Sequence, residues 1–208
     1  MLPIAHEGWP FILVPAAAAL VAVWAGWTPV AGLFLLVGAF MGYFFRDPER
    51  AAPVVPGAIL APADGRVVDV RLRLDDPFVG PAQQVSIFLS PLDVHVNRAP
   101  VAGLVVDVEH RPGAFLAAYR PDASERNERT SLSLQGETAR VVVRQIAGVL
   151  ARRIVCRVRA GDKLAAGERF GMIRFGSRTD LVVPASARLS VRAGDRVRAG
   201  ETVVGILA

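Results

Sequence analysis

Two regimes of hydrophobic patterning divide the chain. Between Trp9 and Phe45 no residue carries a charge, and the apolar positions show no amphipathic stripe. At a rise of about 1.5 Å per residue, roughly 20 residues cross a hydrocarbon core, so this tract is long enough for almost two crossings. Trp27-Thr28-Pro29 interrupts it. Proline disfavours helix in the residue before it, and an interfacial tryptophan suits a turn at the headgroup level. The pattern predicts a membrane anchor over residues 1–45, with two short transmembrane helices near 11–26 and 30–45 folded as a hairpin. One long kinked span is the rival reading. A cleaved signal peptide fits poorly, because the tract lacks a basic leading region and is too long. Arg46 and Arg50 follow directly, and the positive-inside rule sets residues 46–208 on the cytoplasmic face of the inner (plasma) membrane.

After Arg46-Asp47-Pro48 the period changes. Short runs rich in β-branched residues recur at Arg66–Leu74, Gln84–Leu89, Leu104–Glu109, Thr130–Gln135, Ala139–Gln145, Arg153–Val158, Gly171–Phe175, Asp180–Val183, Ala187–Val191 and Thr202–Leu207. Pro, Gly or Asp clusters separate most of them, and several alternate by two. The best helix candidates are short, around Ala114–Tyr119 and Gly148–Arg152. The expectation is a mainly β domain, a β-sandwich with a few short helices.

An internal repeat sharpens this. Val158-Arg159-Ala160-Gly161-Asp162-Lys163-Leu164-Ala165-Ala166-Gly167-Glu168 recurs as Val191-Arg192-Ala193-Gly194-Asp195-Arg196-Val197-Arg198-Ala199-Gly200-Glu201. Each copy reads as a turn, a short strand and a second glycine turn, which suggests a quasi-symmetric pair; a solenoid needs at least three copies. The pattern resembles the barrel-sandwich hybrid fold of lipoyl and biotinyl carrier domains. A carrier presents a lysine at an exposed hairpin tip, whereas the only lysine here, Lys163, sits inside the first Gly-Asp turn.

Composition narrows the function classes. Of 208 residues, 52% are apolar and 21% charged, with a mean hydropathy of +0.39, too apolar for a disordered tail. Glu7 is the only charged residue before Arg46, so residues 46–208 hold all 24 basic and 18 of the 19 acidic side chains, an excess of six positive charges. A single cysteine, Cys156, excludes an internal disulfide framework and a cysteine-rich metal site, and three histidines leave little for a histidine-rich one; no metal is expected. Aromatics are 7% and several lie in the membrane tract, which leaves few stacking platforms for nucleic acid.

Candidate chemistry comes from four polar stretches. Ala61-Pro62-Ala63-Asp64-Gly65-Arg66 contains a hairpin-like Asp-Gly turn. Leu89-Ser90-Pro91-Leu92-Asp93-Val94-His95-Val96-Asn97-Arg98-Ala99-Pro100 sets an imidazole among a carboxylate, an amide and a guanidinium. Asn127-Glu128-Arg129 reads on its own as a solvated loop, and Arg174-Phe175-Gly176-Ser177-Arg178-Thr179-Asp180 as a turn between strands.

In order along the chain, Pro62-Ala63-Asp64-Gly65, Leu89 to Arg98, Asn127-Glu128-Arg129, Ile146-Ala147-Gly148 with Ala151-Arg152-Arg153-Ile154, and Phe175-Gly176-Ser177 resemble phosphatidylserine decarboxylase proenzymes, in the short, archaeal-type form that many bacteria also carry. The resemblance implies autocatalytic serinolysis. Ser177 Oγ would attack the Gly176 carbonyl, and elimination and hydrolysis would leave a β chain of 1–176 and an α chain of 177–208 headed by a pyruvoyl group formed from Ser177. It assigns the base to His95 and the orienting carboxylate to Asp64. The pyruvoyl ketone would take the amine of phosphatidylserine as a Schiff base and accept electrons as CO2 leaves, giving phosphatidylethanolamine, with His95 as proton donor. The longer enzymes carry two histidines three apart in this segment; here the second position is Arg98, so His95 serves both steps or another group such as His110 supplies one. Arg98, His110, Arg178 and the Arg152-Arg153 pair are candidate contacts to the headgroup. Expected partners are the substrate, the membrane, the two product chains and a second copy of the chain. The competing reading is a non-enzymatic, membrane-anchored β-sandwich that binds a lipid or a partner.

Overall fold

The computed structural model describes residues 3–118, 120, 123–149, 153–174 and 177–207. Two compact units emerge, Met1–Glu49 and Arg50–Ala208. The first holds α1 (Trp9–Trp24) and α2 (Thr28–Phe44), each a little earlier in the chain than the sequence pattern suggests. Pro10 and Pro29 sit in the first turns, where a missing N–H costs nothing. Gly26 closes the link between the helices in the left-handed region. Phe11 stacks on Phe45 at 5.2 Å, and the Ala5 N–H donates to the Phe45 carbonyl at 2.8 Å, so the unit's two ends meet. Most large apolar side chains of both helices face outward. The segment His6–Trp24 is long and apolar enough to cross a membrane by length and composition.

The second unit is mainly β. Its described strands are β1 (Ala58–Leu60), β2 (Gly65–Asp76), β3 (Gly80–Leu89), β4 (Val96–Arg98), β5 (Gly103–Arg111), β6 (Arg129–Gly136), β7 (Arg140–Ile146), β8 (Ile154–Cys156), β9 (Lys163–Leu164), β10 (Arg169–Ile173), β11 (Ser177–Pro184), β12 (Arg188–Leu189), β13 (Arg196–Val197) and β14 (Val203–Ile206). They form an eight-stranded sheet ordered β13-β2-β3-β11-β7-β6-β5-β9, and two three-stranded sheets, β1-β14-β12 and β4-β10-β8. One face of the large sheet, with Val67, Val85, Ile87, Leu132, Leu134, Val143 and Leu181, closes the main core.

The sequence repeat has a structural meaning. Its two short strands, β9 and β13, pair with β5 and β2 at opposite edges of the large sheet. The Gly161 N–H donates to Val105 O at φ 96° and the Gly194 N–H to Val67 O at φ 100°, a left-handed conformation that favours glycine. Val105 and Val67 return bonds to Asp162 O and Asp195 O. Further along, the Gly167 N–H donates to Ala99 O and the Gly200 N–H to Ala61 O. The partners thus form a second, weaker repeat, Ala61-Pro62-Ala63-Asp64-Gly65-Arg66-Val67 against Ala99-Pro100-Val101-Ala102-Gly103-Leu104-Val105, which periodicity alone did not disclose.

The helix expectations are corrected. Ala114 makes a bridge to Asn127 and 115–118 are irregular, with Tyr119 outside the described residues. The four-residue α3 lies at Ala123–Arg126 instead. Gly148 and Val149 are not helical, and residues 150–152 lie outside the described set. Gly113 explains the first correction: a Cβ there would meet Asn127 C at 2.5 Å, so the chain runs flat against β6's entry rather than coiling.

Candidate active site

Ser177 opens β11 and is fully buried. Side chains alternate along a strand, so Ser177, Thr179, Leu181 and Val183 share the core face, while Arg178, Asp180 and Val182 take the other. Among the described residues the Ser177 hydroxyl has no hydrogen-bond partner. Gly176 and Phe175, the other half of the expected scissile motif, lie outside the described residues.

His95 immediately precedes β4 and is also fully buried. Its Nδ1 lies 3.0 Å from the Asp93 carbonyl oxygen. A carbonyl only accepts, so Nδ1 carries a proton, which leaves Nε2 as the nitrogen that can act as a base. The Asp93 side chain is occupied in holding the turn, accepting from Ser90 N and Oγ. The chain passes His95 where Ile173 N meets His95 O at 3.3 Å, and it returns past Asn97, whose amide reaches Thr179 Oγ1 at 3.4 Å. Ser177 lies on the path between these two anchor points.

Beneath them is a polar layer that the sequence reading missed. The Gln145 amide donates to Asn97 Oδ1 at 2.8 Å, and Asn97 donates to Thr179. The Gln145 Oε1 has no hydrogen-bond partner among the described residues. Gly171 lets this amide in, since a Cβ there would sit 2.3 Å from Val155 O and 3.0 Å from Gln145 Nε2. The missed signal was parity. Gln145 follows Val141 and Val143, and Thr179 precedes Leu181 and Val183, at inward positions where apolar residues are the rule.

Asp64 is placed differently from the expectation. Both its oxygens face the Arg50 guanidinium, at 2.5 and 2.7 Å, and Oδ1 also accepts the Ala199 N–H at 2.8 Å. Arg50 further donates to Ala199 O. The carboxylate therefore locks the second turn repeat, and the imidazole's Nδ1 is oriented by its own loop.

The expected headgroup arginines are also committed internally. Arg98 is buried, donates to Gly167 O at 2.9 Å and lays its stem across Gly200. Arg178 is bonded to Asp180 at 2.7 Å and to Ser86 Oγ at 2.7 Å, with Ser124 Oγ completing Asp180. Replacing one member of a buried pair strands the other, so Asp180→Ala should cost about 3–5 kcal/mol in chemical denaturation. His110 and Arg153 are exposed, His110 facing Thr130 Oγ1 at 3.1 Å, while Arg152 lies outside the described residues. Asn127 is no solvated loop residue. It is buried and clamps Leu116 N, Leu116 O and Ala147 O.

Two other features stand apart from this centre. An open cleft of about 590 Å³ on the Arg178 face of the sheet is lined by acidic and basic side chains, Arg111, Arg129, Arg144 and Glu109 among them. Burial, then the charges of Arg111 and Arg144, lower the Arg129 pKa. Burial pushes the Cys156 thiol up, which keeps it protonated and unreactive near neutrality.

Comparison with known proteins fits this picture. The family model described as phosphatidylserine decarboxylase matches residues 37–205. A protein of Symbiobacterium thermophilum named phosphatidylserine decarboxylase proenzyme is 50% identical over 209 residues, covering 98% of this chain and 95% of its own. Proteins of the same name from Salinibacter ruber and Beijerinckia indica are 52% identical over 180 residues (83% and 79% covered) and 46% over 206 (97% and 88%). With one family model spanning most of the sequence and relatives near half identical along nearly all of it, the chain belongs to the phosphatidylserine decarboxylase family.

Proposed function

We propose that this chain is a self-processing precursor that becomes a pyruvoyl-dependent phosphatidylserine decarboxylase, forming phosphatidylethanolamine and CO2. The observation that carries the reading is Ser177: a fully buried hydroxyl at a strand's first residue, with no hydrogen-bond partner among the described residues. A buried hydroxyl without a partner costs about 1–3 kcal/mol, which a purely structural serine would avoid. It is poised for a reaction instead.

In self-processing, His95 Nε2 takes the Ser177 proton as Oγ adds to the Gly176 carbonyl, and the peptide bond becomes an ester. Removal of the Ser177 α proton expels the Gly176 carboxylate. Uptake of one water and loss of one ammonia leave the new terminus of the shorter chain as a ketone. Ser177 shares its strand face with Thr179, whose hydroxyl accepts from Asn97 and keeps its own proton to offer that small polar group in an enclosed setting. When formed, the pyruvoyl group supplies an electrophilic carbonyl conjugated to a second one, an electron sink for decarboxylation. His95, fully buried and tied by its carbonyl to Ile173 four residues before Ser177, is the group that returns a proton to the product carbon.

The remaining parts of the reading concern place. The paired Gly-Asp turn repeats support a barrel-sandwich hybrid scaffold for residues 46–208. The uncharged α1 and α2, outward-facing along most of their length, support a transmembrane hairpin over 1–45, and Arg46 and Arg50 support a catalytic domain on the cytoplasmic side of the inner membrane. A diacyl lipid leaves the bilayer only at great cost, so its decarboxylase must work at the surface.

Intact mass of freshly purified protein tests the chemistry. Two chains, split between Gly176 and Ser177, with the smaller lighter by one ammonia than a chain beginning in serine, are expected. A single full-length mass in folded wild-type protein would overturn it.

A further inference from the structure

We propose that the loops around Ser177 and His95 form a second lipid-contacting surface, a rim whose apolar tips Leu92, Phe115 and Val149 enter an anionic bilayer at the mouth of the active site. This inference rests on the lipid-acting reading above.

The rim's loops leave one end of the large sheet, where Ser177 stands opposite Leu89, Arg178 opposite Ile146 and Ile146 opposite Arg129. Ile173 N bonds to His95 O, joining the loop after β10 to the loop before β4. Arg174 N bonds to Arg153 O at 3.2 Å, joining it to the segment before β8. Asn127 ties the 112–118 segment to Ala147, and Glu128 N bonds to Ala114 O at 2.9 Å. Three of these linked loops carry a large apolar side chain in the open: Leu92 is 62% exposed, Val149 58% and Phe115 39%. Single exposed apolar residues are ordinary, but three on adjoining loops around one buried centre mark an interaction surface.

The occupant follows from charge and from the substrate. Arg120, Arg126 and Arg153 are exposed on the same segments, and basic residues beside apolar tips complement an anionic leaflet. The reacting pair is fully buried, and the carboxyl to be removed lies at the headgroup level of a lipid. A mouth seated at that level shortens the path by which the headgroup enters, whereas a mouth facing water would require the acyl chains to follow it out. A bilayer is therefore favoured over a soluble partner.

The test uses the full chain in vesicles of phosphatidylcholine with phosphatidylglycerol, anionic lipids that are not the substrate. With Cys156→Ser removing the native thiol, an environment-sensitive fluorophore is placed in turn at Leu92→Cys, Phe115→Cys, Val149→Cys and, as a control away from the rim on β2, Leu72→Cys. The three rim labels should be quenched by nitroxide lipids and shielded from iodide, and the Leu72 label should show the opposite. Iodide access equal to the control at all three rim sites overturns the proposal. So does shielding that appears in lipid-free detergent and vanishes on dilution, because a second copy of the chain would then cover the rim. Independently, the variant Leu92→Ser/Phe115→Ser/Val149→Ser should self-cleave normally yet show an interfacial KM raised about tenfold, as expected when apolar burial at a membrane is lost. An unchanged KM sinks the rim, whereas absent self-cleavage in the wild type would sink the enzyme reading itself.

Discussion

Ser177→Ala should yield a single uncut chain of 22.2 kDa with no decarboxylase activity. The same variant should melt no lower than unprocessed wild-type protein. Both halves follow from the geometry at the start of β11. The hydroxyl is the only group on residue 177 that can add to the preceding carbonyl, and without it no ester forms, so the loss is complete rather than partial. Stability moves the other way because this oxygen is fully buried without a hydrogen-bond partner among the described residues. Deleting such a group removes a desolvation cost of about 1–3 kcal/mol and leaves only a methyl-sized void to set against it. Mass spectrometry and thermal melting read the two effects separately. A Ser177→Ala chain that still splits at this position would remove Ser177 from the chemistry, and one that melts far below the unprocessed wild type would show that the hydroxyl is structural after all.

How much of this was legible in the sequence depends on the range of the interactions involved. The six long strands of the large sheet were readable because alternation and punctuation are local; β2, β3, β5, β6, β7 and β11 fall on or beside the β-branched runs. The short strands β1 and β4 were not readable as strands, whereas β9 and β13 were legible through the repeat, each copy of which reads as a turn, a short strand and a second glycine turn. Two or three residues carry no period of their own: β1 and β4 are set by their distant partners β14 and β10, and β9 and β13 by the turns that bring Leu164 and Val197 against Gly103 and Gly65. The helix at 114–119 failed for a similar reason. Apolar composition favoured it, but the Asn127 clamp and the close approach at Gly113 are long-range facts. At the site, residue types were visible and partners were not. Nothing local in Pro62-Ala63-Asp64-Gly65 announces that Arg50 and Ala199 will take its carboxylate, since one partner lies 14 residues upstream and the other 135 downstream. Gln145 was the readable residue that went unread, a polar side chain at an inward position of a valine-rich strand.

Replacing His95 by alanine should slow self-processing by about 10²–10⁴-fold, the usual worth of a positioned general base. The chain should still fold, so the loss is read in the cleavage rate and not in the melting temperature. The prediction is sharp because the tautomer is fixed: Nδ1 donates to the Asp93 carbonyl, so Nε2 is the basic atom, and the loop that orients it is held by Ser90 and Asp93. Asp64 provides the contrast. Its bidentate pair with Arg50 is buried on both sides, so breaking it from either end should destabilise the fold by about 3–5 kcal/mol. If Asp64 acts through this lock, Asp64→Asn and Arg50→Met should lose stability together and slow processing in parallel, and both rates should recover as temperature falls well below melting. If Asp64 orients the imidazole, Asp64→Asn alone should stay slow at low temperature and shift the pH profile. The geometry favours the first outcome, because the carboxylate's two oxygens already serve Arg50 and Ala199 while His95 takes its orientation from the Asp93 carbonyl. A His95→Ala chain that processes at the wild-type rate would defeat both versions, and the base would then have to be sought elsewhere around Ser177.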